Sequence, residues 1–201
     1  MTHPGQSAVT DGPILAATSS SAWLQAVLAD FDTFLADHAA NERKASAMAM
    51  TMVVHYPDRD LLVSRMIDLA VEELNHFRQV VRLMQTRGLV MPPDEKDPYI
   101  NQLRSHHRKG ADEYLLDRLL SAAVIEARGE ERFRLIADAV ADRELGSFYQ
   151  ALANSEQGHH QLFIEMARQY FPEKTVDSRL AEWIALETAI IESLPVRSRL
   201  H

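Results

Sequence analysis

Apolar residues recur at alternating steps of four and three along four long stretches of the chain. The first stretch runs from Leu24 to Tyr56, the second from Leu62 to Leu83, the third from Leu115 to Val140 and the fourth from Leu145 to Tyr170. This spacing places the apolar residues on one side of a helix and is typical of helices that pack in a bundle. The pattern therefore predicts an all-α protein built on a four-helix bundle.

Helix-starting and helix-ending residues set the expected limits of these helices. Ser, Asp and Asn favour helix starts, whereas Pro and Gly favour helix ends. We expect helix one from Ser19–Ser21 to His55 or Tyr56, helix two from Asp58 or Asp60 to about Gly88, helix three from about Ala111 to Ala141, helix four from Asp142 to Phe171, and a fifth, C-terminal helix from about Val176 to Leu194.

The helical pattern stops between Gly88 and about Gly110, where Pro92, Pro93 and Pro98 interrupt it. A short helix is expected within this stretch, at Tyr99–His106. Because the turn between helices one and two is short, these helices should be antiparallel neighbours, and the long stretch then forms the crossover of a ferritin-like bundle. We expect a flexible N-terminal arm at residues 1–18 and a single ferritin-like domain at residues 19–201.

Polar residues interrupt the apolar side of each long helix. Helices one and three carry a single Glu there, and helices two and four each carry Glu-x-x-His, whose two side chains point the same way. This combination is the ligand set of carboxylate-bridged di-iron and di-manganese bundles. The candidate metal ligands are Glu42, Glu73, His76, Glu126, Glu156 and His159.

A charge argument supports the metal site. Burying four carboxylates without counter-charge would cost folding free energy, whereas two divalent cations carry four positive charges and balance the four carboxylates. Oxygen ligands with one nitrogen per metal suit iron or manganese better than a structural zinc. Any one of these residues alone could instead be a buried hydrogen-bonded group. We expect His38 to be a packed, hydrogen-bonded histidine, Glu72 to be solvated, and His160 to lie near the ligands or at the surface.

Composition narrows the class of protein. The 201 residues are 46% hydrophobic and 25% charged, as in an ordinary globular domain, and they include no cysteine. Neither a secretory signal nor an apolar run long enough for a bilayer is evident, so we expect a cytoplasmic protein without a membrane partner. The net charge of −8 argues against indiscriminate nucleic-acid binding but leaves room for a local basic patch.

One segment is locally basic. From Tyr99 to Gly110 there is no acidic residue, and Arg104, Arg108 and Lys109 are candidates for contact with RNA phosphates. The alternative for this segment is a solvated loop.

Local strings around the candidate ligands resemble one family. The chain resembles the ferritin-like non-haem di-iron proteins and, within them, the tRNA-(2-methylthio-isopentenyladenosine) hydroxylases of the MiaE family, from about Trp23 to Phe171. The strings are HAANERKA at 38–45, EELNHF at 72–77, GLVMPP at 88–93 with DPY at 97–99, EARGEERF at 126–133 and SEQGHH at 155–160.

The resemblance implies oxygen-dependent hydroxylation of the isopentenyl side chain of 2-methylthio-N6-isopentenyladenosine in tRNA. It implies two iron ions and dioxygen as co-substrate, with electrons from an external ferredoxin or reductase. The family roles assign Glu42 and His76 to one iron and Glu126 and His159 to the other, with Glu73 and Glu156 able to bridge. No catalytic residue is expected beyond the metal ligands.

Other functions of the same ligand set remain open at the level of sequence. One alternative is a ferritin-like iron-storage or ferroxidase protein. Another is a manganese catalase or a rubrerythrin-like peroxidase. The residues alone also leave open whether tRNA or a small molecule is the substrate.

Overall fold

The computed structural model describes residues 14–201, and every regular element in that range is a helix. The helices are α1 (Ser21–Ala29), α2 (Phe31–His55), α3 (Asp60–Thr86), α4 (Pro98–Ser105), α5 (Ala111–Ala139), α6 (Arg143–Tyr170) and α7 (Glu173–Ser193). The longest four, α2, α3, α5 and α6, form the bundle.

The bundle consists of two helical hairpins. Helix α2 packs along α3 and α5 packs along α6, and residues 87–110 connect the hairpins and contain α4. Buried apolar side chains such as Met52, Met66, Leu119 and Phe163 fill the space between the helices. This architecture confirms the predicted ferritin-like bundle with a long crossover and an additional C-terminal helix.

The end of α3 shows why the crossover begins where it does. Gly88 has a φ of 71°, which favours glycine. The N–H groups of Gly88 and Leu89 donate to the carbonyls of Gln85 and Met84 at 3.0 and 2.9 Å. These bonds satisfy two carbonyls at the helix end in the pattern of a Schellman motif. Asp97 then caps α4 by accepting hydrogen bonds from the N–H groups of Tyr99 and Ile100.

The first predicted helix differs from the observed structure, because it consists of two helices that meet at Asp30. The Asp30 carboxylate accepts a hydrogen bond from the Thr33 N–H at 3.2 Å and so caps α2. The Asp30 carbonyl accepts a hydrogen bond from the Ser198 hydroxyl at 2.6 Å. The break is stabilised locally and by a distant residue, which the apolar spacing does not reveal.

A buried ion pair fixes α7 on the outside of the bundle. Arg128 on α5 donates two hydrogen bonds to the carboxylate of Glu187 on α7, at 2.8 and 3.0 Å, and both side chains are fully buried. Arg128 also donates to the carbonyl of Ala17 at 3.0 Å, and Ser19 bonds to Glu131. Residues 14–18 of the expected arm thus lie near α5, and residues 1–13 lie outside the described residues.

Among residues 14–201, the helices lack any segment that combines the length and the apolar character required to cross a membrane.

Candidate metal centre

The four bundle helices direct six polar side chains into one interior site. Each side chain lies on the apolar side of its helix, so helix packing brings the carboxylates and imidazoles together. All six are buried, with at most 8% exposure. They are the predicted set: Glu42 on α2, Glu73 and His76 on α3, Glu126 on α5, and Glu156 and His159 on α6.

These residues form two overlapping groups whose candidate ligand atoms lie within 4.8 Å of one another. One group contains Glu42 and His76, and the other contains Glu126 and His159. Glu73 and Glu156 belong to both groups. An arrangement that shares two carboxylates suits two metal ions bridged by those carboxylates.

Both imidazoles direct Nδ1 towards the carboxylates. His76 Nδ1 lies 3.6 Å from Glu42 Oε2 and 3.5 Å from Glu73 Oε2. His159 Nδ1 lies 2.8 Å from Glu73 Oε1 and 3.2 Å from Glu156 Oε2. Nδ1 is therefore the nitrogen that each histidine offers to a metal.

The protonation equilibria reflect crowding of like charges. Burial and the neighbouring Glu156 carboxylate raise the pKa of Glu73 to about 7, and the same causes raise the pKa of Glu126 well above its usual range. Burial alone would lower the pKa of His76, but the neighbouring Glu42 and Glu73 carboxylates raise it to about 10. The site thus concentrates negative charge that protons or cations must neutralise.

Several buried polar atoms of the site have no hydrogen bond of good geometry within the described residues. They include His76 Nδ1, and His76 belongs to one of the two candidate metal groups. Buried polar atoms normally have partners, so unpaired ones at a cluster of this composition fit a bound ion. The donor set of four carboxylates and two imidazoles suits iron or manganese.

Additional side chains support the ligands from outside. His38 Nε2 lies 2.6 Å from Glu42 Oε1, and His38 Nδ1 lies 3.2 Å from the Tyr149 hydroxyl. His38 is thus the packed, hydrogen-bonded histidine that the sequence predicts. His160 is buried and lies 3.0 Å from Glu130.

Glu72 has a role that the sequence reasoning missed. Its Oε2 lies 3.3 Å from His159 Nε2, the ring nitrogen that faces away from the site, and its other oxygen accepts a hydrogen bond from Ser155. A carboxylate on the outer nitrogen of a metal-binding histidine orients the ring. Glu72 is half-exposed and off the apolar side of α3, so the expectation of a solvated residue is only partly right. The sequence of α3 contains no pattern that predicts the contact of Glu72 with α6.

A cavity of about 520 Å³ extends from the site towards the surface between α2 and α5. Four candidate ligands line it, namely Glu42, Glu73, Glu126 and Glu156. Small or apolar residues line the adjoining part, including Ala45, Met48, Ala122, Ile125, Gly129 and Phe133. The site is therefore buried but reachable by a ligand.

The predicted basic residues differ in environment. Arg104 is exposed and lines the cavity, and Lys109 is exposed. Arg108, in contrast, donates two side-chain hydrogen bonds to buried Asp117, at 3.0 and 2.8 Å, so its charge is compensated within the protein. Among these three, Arg104 is the best placed to reach a ligand of the cavity.

Comparison with known proteins extends these observations. Residues 8–201 match the family described as tRNA-(MS[2]IO[6]A)-hydroxylase (MiaE). The chain is similar to a Pseudomonas putida protein named tRNA 2-(methylsulfanyl)-N(6)-isopentenyladenosine(37) hydroxylase, with 37% identity over 93% of this chain and 91% of that protein. A Salmonella typhimurium protein of the same name is 33% identical over 70% of this chain and 51% of its own length.

The fold is also similar to a solved structure with a different description. That structure is protein 43 with aldehyde deformylating oxygenase activity, from Synechococcus. It has a TM-score of 0.89 and 34% identity, covering 93% of this chain and 94% of that one.

Proposed function

The chain belongs to the MiaE family of tRNA hydroxylases, and from this premise we propose that its buried site uses two iron ions to hydroxylate the isopentenyl side chain of 2-methylthio-N6-isopentenyladenosine in tRNA. The observation that carries the metal assignment is the pair of overlapping ligand groups that share Glu73 and Glu156. A tRNA substrate agrees with the cytoplasmic location expected from the sequence.

The reaction must balance in atoms and electrons. One atom of dioxygen enters a C–H bond and the other leaves as water, which consumes two electrons and two protons. Bound iron would supply the activation of dioxygen. The sequence contains no cysteine, so an iron–sulfur cluster held by thiolates is not available within it. We infer that a separate ferredoxin or reductase supplies the electrons.

The residues of the cavity provide the environment for this chemistry. Glu42 and His76 would hold one iron, and Glu126 and His159 the other. Ala122 and Gly129 leave space beside the carboxylates: a Cβ added at Gly129 would approach no closer than 3.9 Å to Glu156 Cγ. The apolar lining excludes water from an isopentenyl group that lies there.

The similarity to the Synechococcus protein favours one second candidate, an oxygenase that acts on an aldehyde. An aldehyde with a long alkyl chain needs an apolar channel. The cavity is instead also lined by Arg43, Lys44, Arg104 and Arg118. Asp94 pairs with Arg43 and Lys44, whereas no ion pair within the described residues involves Arg104 or Arg118. This cationic lining suits a polyanionic substrate better and supports tRNA.

The proposed function is tested with nucleosides from tRNA. In a deletion strain we expect 2-methylthio-N6-isopentenyladenosine to accumulate and its hydroxylated form to disappear, and we expect the cloned gene to restore the latter. A variant with Glu126→Ala should not restore it. Unchanged nucleosides in the deletion strain, together with formate release from a supplied aldehyde by the purified protein, would instead support the second candidate.

A further inference from the structure

A buried arginine without a carboxylate partner lines the outer part of the cavity. Arg118 on α5 is 8% exposed, and its Nη1 lies 2.8 Å from His55 Nδ1. The guanidinium also lies 5.8 Å from the ring centres of Tyr56 and Tyr114. Within residues 14–201, no carboxylate oxygen lies within 4.0 Å of its nitrogens. A buried cation normally has such a partner.

The nearest acid in sequence does not supply the missing charge. Asp117 accepts hydrogen bonds from Arg108 and from Arg179, the latter at 2.7 and 3.0 Å. Its carboxylate is therefore already bound by two other guanidinium groups. By comparison, the buried Arg128 pairs with Glu187.

Neighbouring side chains leave the positive charge uncompensated. Arg104 lines the same cavity, and no ion pair involves it among the described residues. Desolvation, together with the nearby charges of Arg104 and Arg118, lowers the pKa of His107 to about 4. His107 is therefore neutral near pH 7, and its Nε2 lies 2.9 Å from the Ser121 hydroxyl. Besides the candidate metal ligands, three acids also line the cavity, but Asp94 pairs with Lys44, Glu95 with Arg199, and Asp97 lies 3.0 Å from His201. The cavity thus offers two arginines without a carboxylate partner to an anion.

Arg118 lies on the same helix as Glu126, one of the candidate metal ligands. Arg118, Ala122 and Glu126 are spaced at intervals of four on α5, and all three line the cavity. At 1.5 Å per residue, Arg118 is about 12 Å along the helix from Glu126. This span is on the scale of one nucleotide with an extended side chain on its base.

We propose that Arg118 and Arg104 form a binding site for a backbone phosphate of the RNA, at the opposite end of the cavity from the carboxylates that hold the metals. The inference rests on the proposed function, because it takes the RNA as the source of the phosphate. Arginine suits this ligand because its fork of N–H groups matches phosphate oxygens. The phosphate would supply the counter-charge that Arg118 lacks and would direct the modified base towards Glu126.

The test is a salt series of binding measurements. An anticodon stem-loop RNA with the isopentenylated adenosine is titrated with the iron-loaded protein, and binding is followed by fluorescence anisotropy. We expect Arg118→Gln and Arg104→Gln each to weaken binding roughly tenfold at low salt and to reduce the slope of log K against log salt by about 1. Arg82→Gln, on the exposed side of α3 and away from the cavity, should leave both quantities unchanged.

Two further variants and measurements separate the possible outcomes. Arg118→Lys keeps the charge and should keep the slope while it loses affinity, because the bidentate geometry is lost. The exposed Arg104 permits a test that does not depend on the folding of a buried-site variant. Slopes equal to that of the unchanged protein in both Gln variants, with RNA still converted, would overturn this inference alone.

A failure of the proposed function has a different signature. Absence of RNA binding and of conversion by the unchanged protein would overturn both proposals. Binding of inorganic phosphate that Arg118→Gln abolishes, without any change in the RNA slope, would identify a site for a free anion and would overturn the assignment to RNA.

Discussion

Glu73 and Glu156 are the side chains on which the candidate metal centre depends most, because both belong to the two ligand groups. Replacing either by Ala should remove a ligand from both metals at once. We therefore expect about two irons per chain in the unchanged protein and almost none in Glu73→Ala or Glu156→Ala. Metal analysis after iron loading measures this directly.

The control for this experiment is Glu165→Ala. Glu165 lies on α6 like Glu156 but is exposed, so it should retain the full iron content. Full iron occupancy in either Glu73→Ala or Glu156→Ala would contradict the assignment of shared ligands.

Glu72 is expected to act through His159 rather than on the metals themselves. Loss of a carboxylate behind a metal-binding histidine typically weakens metal affinity about 10–100-fold. Glu72→Gln should therefore weaken one of the two metal-binding steps and leave the other close to its original affinity. Titration with Mn²⁺ can resolve the two steps, and identical titration curves for variant and unchanged protein would show that Glu72 has no such role.

The sequence indicated the candidate ligands and the packed His38 but not the contact of Glu72 with His159, for a physical reason. Glu73 and His76 stand at positions of α3 where the apolar pattern predicts apolar residues. They can therefore be recognised as candidate ligands from the sequence of this helix alone. Glu72 contacts His159 across the interface between α3 and α6. This contact depends on how the two helices pack, which the sequence of either helix alone does not show.

At the scale of helices, Asp117 connects three segments of the chain. Its buried carboxylate binds Arg108 in the loop after α4, Arg179 on α7 and, at 3.4 Å, the indole N–H of Trp183. Burial alone would raise the pKa of Asp117, but hydrogen bonds from Arg108 and Arg179 hold it below its ordinary value of 3.8. A carboxylate of this kind stabilises the folded state only while it is ionised.

The expected pH dependence follows from that lowered pKa. The contribution of Asp117 should be fully present above its ordinary pKa and be lost as the pH falls below it. Asp117→Asn should lower the free energy of unfolding by about 3 kcal/mol near neutral pH, and the difference between the two proteins should shrink in acid. Urea unfolding of both proteins across that pH range provides the measurement, and a difference that grows in acid would contradict the account.

The periodicity of apolar residues predicts where the long helices lie but does not predict where one helix breaks. Long apolar repeats predicted the four bundle helices, because helix packing requires a continuous apolar side. The short turn between helices one and two predicted that they pack as antiparallel neighbours. The break at Asp30 depends on a capping carboxylate and on Ser198, far along the chain. The compensation of Arg108 by Asp117 likewise depends on the fold, so the basic segment appeared uniform in the sequence although its arginines differ in role.

At the scale of the whole molecule, one cavity is lined both by carboxylates of the candidate metal centre and by Arg104 and Arg118. The carboxylates occupy the inner end, and Arg104 and Arg118 lie in the outer part. Neither the cavity nor the missing partner of Arg118 could be predicted, because both depend on how α2, α5 and the crossover pack around empty space. Together they account for a reaction whose substrate is large and anionic but whose reacting group is small and apolar.

The source of the oxygen atom in the product distinguishes oxygen-dependent hydroxylation from the other candidate functions. The iron-loaded protein is mixed with isopentenylated tRNA, an electron donor and ¹⁸O-labelled dioxygen, and the nucleosides are analysed by mass spectrometry. We expect a hydroxylated nucleoside that contains one labelled oxygen atom, and no product with Glu126→Ala. Label that enters from ¹⁸O-labelled water instead would contradict oxygen-dependent hydroxylation, and rapid iron oxidation and mineral uptake without any conversion of tRNA would indicate an iron-storage protein.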